Sequence, residues 1–294
     1  MHEVAIIGAG PAGLSAALQL HRYGLPCLLL EGEQAGGLLR NANLVENYPG
    51  FPGGVPGPRL VELFVRQAEA AGVEVTYERV CSVAYQSPLF QIQTNAGLHP
   101  ARRLVIASGT RAEQFEPGLV PSAAAAQVFY EVYPLLAERG RRVAIVGAGD
   151  AAFDYALNLA RHNQVLVLNR GDQLKCLPLL WQRASQAQNI AYHASTRLQG
   201  VGRTAAGQLL LECTSPSGEV SFTVDYLVGA LGRRPALDFL EPGWQENTAL
   251  LQDTGVLYFI GDVKNGIFRQ TSIAVGDGIL AAMKIYRYLK ENSV

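Results

Sequence analysis

The sequence predicts an α/β chain containing two Rossmann-like, doubly wound domains. Three observations carry this. Residues Val4–Leu20 (VAIIGAGPAGLSAALQL) return 139 positions later as Val143–Leu159 (VAIVGAGDAAFDYALNL). In each copy an apolar run meets a glycine turn, then a stretch with apolar residues at helical spacing. A second apolar run follows each copy, Pro26 to Leu30 and Gln164 to Leu168, so both copies read as strand–helix–strand units of a parallel sheet.

The intervening elements follow in order. Pro58 to Ala71 reads as a helix, with Pro58 in its first turn and Gly72 just past its end. Val73 to Thr76, Val83 to Thr94 and Leu104 to Ala107 read as strands, with a turn at Asn95–Gly97. After the second copy, Leu209 to Cys213 and Val220 to Tyr226 predict a hairpin turned at Ser215–Gly218. A helix from Thr271 to Tyr288, interrupted by Gly276 and Gly278, closes the chain. Domain boundaries are expected in Gly109–Gly118 and Gly229–Pro235, both rich in Gly, Pro and charge.

Composition narrows the function. The 294 residues carry a formal charge of −1, and no Lys/Arg run exceeds two, which argues against nucleic acid as a partner. No window of about 20 apolar residues predicts a membrane span, and the N-terminus has no basic leader pattern. The cysteines at 27, 81, 176 and 213 form no Cys-x-x-Cys pair and no zinc or disulfide spacing, so a reducing cytoplasmic setting is expected. The five histidines show no metal-ligand spacing, and no metal site is expected.

Gly8-Ala9-Gly10-Pro11-Ala12-Gly13 fits G-x-G-x-x-G between strand and helix. The first glycine allows the turn, the second lets backbone approach a pyrophosphate, and the third permits close helix packing. Free amides at the helix N-terminus favour phosphate. Glu31 ends the next strand, where a carboxylate accepts from ribose hydroxyls. The second motif, Gly147-Ala148-Gly149-Asp150-Ala151-Ala152, has alanine at its third position, where only helix packing is at stake. Asp150 either caps its helix or favours the helix dipole. Beyond the next strand stand Asn169 and Arg170, with Lys175 further on. The missing carboxylate argues mildly against NADH, and Arg170 suits a 2′-phosphate.

Further segments carry a resemblance: Gly36-Gly37-Leu38-Leu39, Val45-Glu46-Asn47-Tyr48-Pro49-Gly50-Phe51-Pro52, Ala107-Ser108-Gly109-Thr110, and Gly261-Asp262-Val263 with Arg269-Gln270-Thr271. Together with both glycine motifs, these resemble the low-molecular-weight thioredoxin reductase family over nearly the whole chain. The resemblance implies FAD in the first domain and NAD(P)H in a second domain inserted into it, with residues 1–112 and 236–294 forming the first and 113–235 the second. It places Asn47 near the flavin, Asp262 on the ribityl chain, and Arg269, Gln270 and Thr271 beside the isoalloxazine ring. Gly37, Leu39, Cys81, Ser108, Gly109, Gly261 and Ala274 complete the expected FAD contacts. Gly147, Gly149, Asp150, Ala151, Asn169, Arg170 and Lys175 are the expected contacts of the second nucleotide. The resemblance also implies a homodimer.

The chain departs from the family in two places. The positions of the family's redox cysteines fall on Tyr130 and Tyr133, and dithiol exchange needs two thiols. The segment Val128-Phe-Tyr-Glu-Val132 is similar to cysteine-free members, including thioredoxin-reductase-like ferredoxin–NADP reductases. The family's basic clamp for NADPH is reduced to Asn169-Arg170-Gly171 and Lys175.

The function expected from these features is an FAD-dependent NAD(P)H oxidoreductase passing electrons to ferredoxin, flavodoxin or a small acceptor. No catalytic side chain is expected, because hydride transfer needs no acid or base. The alternatives are a disulfide reductase using Cys176 or a partner thiol, a non-enzymatic flavoprotein, and a second site that holds another nucleotide or a second flavin. Cys176, Cys27 and Cys81 read otherwise as small apolar fillers, and the two tyrosines as packing groups more than flavin neighbours.

Overall fold

The computed structural model describes residues 1–241 and 244–291, apart from the side chains of residues 245–247. In chain order its elements are β1 (His2–Ile7), α1 (Pro11–Arg22), β2 (Cys27–Leu30), α2 (Gly57–Ala70), β3 (Val75–Thr76), β4 (Val80–Gln86), β5 (Leu89–Thr94), β6 (Leu98–Ile106), β7 (Thr110–Ala112) and β8 (Val128–Phe129). Then come β9 (Arg142–Val146), α3 (Asp150–Leu159), β10 (Gln164–Leu168), α4 (Pro178–Gln186), β11 (Ile190–His193), β12 (Arg197–Arg203), β13 (Leu209–Ser215), β14 (Gly218–Val224), β15 (Tyr226–Gly229), β16 (Arg233–Pro235), α5 (Trp244–Asp253), β17 (Leu257–Phe259) and α6 (Thr271–Glu291).

The chain divides into two units. One holds Met1–Arg40, Val45–Arg111 and the chain from Arg234 onward; the other holds Ala112–Arg233 together with Asn41–Leu44. Apart from residues 41–44, the division falls at 111/112 and 233/234. The allocation of residues 41–44 had no signal in composition. It follows from hydrogen bonds: Asn41 Oδ1 accepts from the amides of Val132 (3.1 Å) and Tyr133 (2.9 Å), and Asp154 accepts from the Asn43 amide (2.9 Å).

In the first unit, strands run in the order β3-β2-β1-β6-β5-β4, with β17 also on β6. The central pairs β1–β2, β1–β6, β6–β17 and β2–β3 are parallel, whereas β4–β5–β6 is an antiparallel excursion. Strand alternation splits two cores. Val4, Ile6, Leu29 and Val105 face α1 and α6, while Ala5, Ile7, Leu30, Leu104 and Ile106 pack with Phe90, Ile92 and Leu251. The single strand expected over 83–94 is instead β4 and β5, divided at Ser87-Pro88. Strand β6 begins six residues earlier than expected and runs through Pro100, which supplies no amide to the ladder.

The second unit carries a five-stranded parallel sheet, β11-β10-β9-β15-β8. Val143, Ile145, Val165 and Val167 pack on α3 and α4. Ala144, Leu168 and Leu227 pack on Leu209, Leu211 and Cys213 of the antiparallel β12-β13-β14 sheet. The expected hairpin is β13–β14, closed at Ser215↔Gly218. Among the described residues, no helix is long and apolar enough to cross a membrane.

Candidate nucleotide sites

The first site is assembled from the first strand–turn–helix unit. Gly8 adopts φ +103°, and a Cβ there would lie 2.5 Å from the Ala107 carbonyl oxygen. At Gly13 a Cβ would stand 1.9 Å from the Gly8 oxygen. Side chains are thereby excluded, and α1 starts directly on β1 and β6. Gly10 is the helix N-cap, makes no side-chain cap bond and is followed by Pro11 at the first helical position. The first-turn amides are thus left to an external acceptor, which is what a pyrophosphate requires. Space above the turn is open, since a Cβ on Gly10 would meet only the Gly37 Cα, at 3.9 Å. Gly36 closes that side by donating to the Ala9 carbonyl (2.8 Å).

Glu31 is fixed by the same turn. Its Oε2 accepts from the Ala9 amide (2.9 Å) and its Oε1 from the Glu33 amide (3.0 Å). Each carboxylate oxygen has a further lone pair for a sugar hydroxyl. Backbone cradle, uncapped helix and oriented carboxylate fit the ADP half of FAD.

The C-terminal segment joins this site. Gly261 (φ +71°) follows β17 and would place a Cβ 2.8 Å from the Ala12 Cβ, so Asp262 is held next to the first turn of α1. Asn47 Nδ2 donates to Gln270 Oε1 (2.7 Å), joining two expected flavin neighbours that are 223 residues apart. Arg269 is half-buried beside Gln270, and Thr271 opens α6. Ala274 and Leu39 are buried. Ser108 Oγ donates to the Ala236 carbonyl (2.7 Å), tying Gly109 to the returning chain.

Cys81 departs from its expected surroundings. It lies where the β4–β5 register shifts between Val80 and Ser82, and the bulge turns its thiol outward, against the Arg79 carbonyl (3.5 Å). It fills no core.

Sequence reading missed Asp277. Its Oδ2 accepts from the Gly261 amide (3.0 Å) and Asn265 Nδ2 (2.8 Å), and its Oδ1 pairs with Lys264 Nζ (3.0 Å). Burial pushes its carboxyl pKa up, but these bonds and the Lys264 charge outweigh it and hold the pKa below the ordinary value. The only sequence signal was an acid between two helix glycines.

The second site repeats the turn. Gly147 (φ +137°) would place a Cβ 2.4 Å from the Ala230 oxygen, and Gly149 caps α3 without a side-chain bond. Asp150 does not cap its own helix. Its Oδ1 accepts from the Leu177 amide (2.7 Å), holding the loop after Lys175. Lys175 is brought to the turn by its own amide, which donates to Ala148 (3.1 Å). Ala151 lies exposed in the first turn of α3.

Asn169, an expected contact of the second nucleotide, is tied into its own loop. It is buried, and Nδ2 donates to the Gln173 carbonyl (3.0 Å) and Tyr192 Oη (2.9 Å) while Oδ1 accepts from Gly171 (3.1 Å). Its amide shapes the loop, leaving the exposed Arg170 and Lys175 as the cations beside the turn.

Tyr130 packs on Phe115 (centroids 5.6 Å apart), and its hydroxyl accepts from the Phe115 amide (3.2 Å). A Cβ on Gly229 would lie 2.9 Å from its ring. Tyr130 is a packing group of the second unit.

A profile of the pyridine nucleotide-disulphide oxidoreductases matches residues 2–278. The chain belongs to that family. FAD and a pyridine nucleotide are the family's cofactors, and the protein is an FAD-dependent oxidoreductase of this class. It is 32% identical to NADPH-dependent thioredoxin reductase 3 of Arabidopsis thaliana, over 100% of this chain and 59% of that relative. It is 28% identical to the thioredoxin reductase of Treponema pallidum, over 98% of this chain and 97% of the relative. The Lactococcus lactis thioredoxin reductase structure superposes with a TM-score of 0.85 at 26% identity, covering 99% of this chain and all of that one. The bacillithiol disulfide reductase of Bacillus cereus shares the fold (TM-score 0.73, 18% identity, 97% and 99% coverage).

Three of the four cysteines are shifted away from the thiolate form. Burial pushes Cys27 to about 12 and Cys213 to about 11. Cys176 is raised by burial and then by the Asp150 charge. Among the described residues no His/Cys/Asp/Glu cluster suits a metal ion.

Proposed function

We propose that the protein is an NAD(P)H-dependent flavin disulfide reductase whose exchange thiol comes from the acceptor. The observation that carries this is the cysteine set. None is spaced as a dithiol, and three of the four are held protonated by burial. Thiol–disulfide exchange requires a thiolate attacker. The named relatives are disulfide reductases, which supports a disulfide acceptor over the ferredoxin or flavodoxin expected first.

In this reading the chain binds, orients and excludes water. The amides of α1 and the Glu31 carboxylate hold the ADP half of FAD. Asn47, Asp262 and the Arg269–Thr271 segment hold its flavin half. FAD, when bound there, would supply the two-electron redox chemistry between reduced nicotinamide and the disulfide acceptor. In the second unit, Gly147–Gly149 and the α3 N-terminus receive the dinucleotide phosphates, with Arg170 and Lys175 beside a 2′-phosphate.

The test is an anaerobic titration of the holoprotein with NADPH and NADH, followed by reoxidation. The bleached protein is offered thioredoxin disulfide, a low-molecular-weight disulfide, ferredoxin or flavodoxin. Bleaching by NADPH and recovery with a disulfide, equal in wild type and Cys176→Ser, is the expected result. Recovery lost in Cys176→Ser transfers the exchange role to that thiol. Recovery with ferredoxin or flavodoxin alone removes the disulfide reading. The homodimer and cytoplasmic setting belong to the same proposal, and sedimentation of the holoprotein checks the former.

A further inference from the structure

We infer that Asp277 is a positioning residue for the flavin nucleotide, fixing the Gly261–Asp262 turn against the start of α1; this rests on reading the first unit as the FAD site. A mid-helix carboxylate on a solvated face needs at most one cation, and such a pair is worth little. Asp277 is different. Its side chain is only 14% exposed, and three donors converge on it, all from the segment Gly261–Asn265 that carries Asp262. Turning a charge inward costs free energy unless it is paired and hydrogen-bonded, and this one is both.

The neighbouring Gly278 shows why the contact is rigid. A Cβ there would lie 2.2 Å from the Ala12 oxygen and 2.9 Å from the Ala16 amide, so the α6 backbone lies directly on α1. Gly261 reaches the same Ala12, where a Cβ on the glycine would lie 2.8 Å from the Ala12 Cβ. Asp277 therefore joins two backbones that converge on one residue of the phosphate-binding turn. The consequence is a fixed spacing between the α1 amides and the Asp262 carboxylate. Preorganising two parts of one ligand site cuts the ordering cost of binding.

The test uses full-length holoprotein and three readouts: FAD dissociation from released-flavin fluorescence on dilution, the shape of the bound flavin's visible absorption, and melting temperature. Asp277→Ala removes the acceptor of a charge-assisted bond and is expected to raise the FAD Kd by about 10- to 100-fold and alter the visible band. Asp277→Asn keeps one oxygen for the Gly261 amide and is expected to raise it roughly threefold to tenfold. A purely architectural role predicts lower melting temperatures in both variants, with the flavin band unmoved and the Kd within twofold of wild type; that result overturns the inference. Should the alanine variant not fold, the same twofold limit applied to the asparagine variant decides. Wild-type protein that binds no flavin refutes the FAD reading itself, a different and recognisable failure.

Discussion

The two glycine turns differ less in sequence than in what presses on them. Both first glycines face a carbonyl, Ala107 for Gly8 and Ala230 for Gly147, at nearly the same distance. At the third position they part. A Cβ on Gly13 would overlap the Gly8 oxygen at 1.9 Å, whereas the second turn accommodates Ala152, itself buried. The cause lies on the far side of each helix. Against α1 lies the α6 backbone at Gly278, with small residues Ala12, Ser15 and Ala16 at the contact. Against α3 lies α4, through Phe153 and Trp181 with ring centroids 5.6 Å apart. Large side chains keep α3 off its neighbour, and a methyl at position 152 costs nothing. A helix packed closely on both sides needs glycine; a helix spaced by aromatics does not.

The sharpest way to break this comparison is to exchange the third residues. Gly13→Ala is expected to destabilise by about 3 kcal/mol, because the clash is with backbone that cannot move aside, and to lose bound FAD. Ala152→Gly is expected to cost only about 1 kcal/mol, the helix-propensity difference. Denaturant melts of both variants, with flavin retention as second readout, check the contrast. Equal effects would mean that the two helices are seated alike.

The acidic and amide positions one strand away form the next contrast. Glu31 points back to its glycine turn through the Ala9 amide. Asn169 instead closes its own loop through Gln173 and Tyr192. Glu31→Ala is expected to weaken FAD binding about tenfold or more, the cost of deleting a charged acceptor. Asn169→Ala is expected to act through loop stability, with NADPH and NADH affinities changed by the same factor. The cations beside it act selectively. Replacing Arg170 and Lys175 together by Ala is expected to raise the Kd for NADPH about tenfold while leaving NADH within twofold. Isothermal titration with the two nucleotides separates these outcomes, and a loss common to both nucleotides in the Arg170/Lys175 variant would remove the 2′-phosphate role.

These contrasts also mark what a one-dimensional reading reaches. Strand, turn and helix were legible in both copies because glycine spacing and apolar periodicity are local. The return of the last helix to the first unit was legible only through family resemblance, since the contacts responsible, Gly278 on Ala12 and Asn47 on Gln270, join residues more than 200 positions apart. Asp277 went unread because its meaning lies in the Gly261 amide, which no periodicity signals. Strand β12, RLQGVGR, has two glycines and no clean alternation, and only its partner β13 makes it a strand. Asn169 and Cys81 carried expectations from position along the chain. A buried amide network in one case and a bulge in the other decided their actual surroundings.

The smallest effect probes the loop that only the second turn possesses. Asp150 has no acidic counterpart in the first copy, where Pro11 occupies the equivalent position. Its carboxylate holds the Leu177 amide and raises the Cys176 thiol pKa, second to burial. A raised pKa keeps the thiolate fraction low at neutral pH. Asp150→Asn removes the repulsion while keeping an acceptor for Leu177, so the pKa falls and the thiolate fraction at fixed pH rises. Alkylation of Cys176 near pH 8, followed by peptide mapping to separate it from the exposed Cys81, is expected to quicken roughly threefold, the scale of a solvated charge pair. The gain should shrink as pH climbs past the wild-type thiol pKa, where both proteins are thiolate. An unchanged rate would mean that burial alone restrains this thiol, and that Asp150 serves the second turn only by holding its loop.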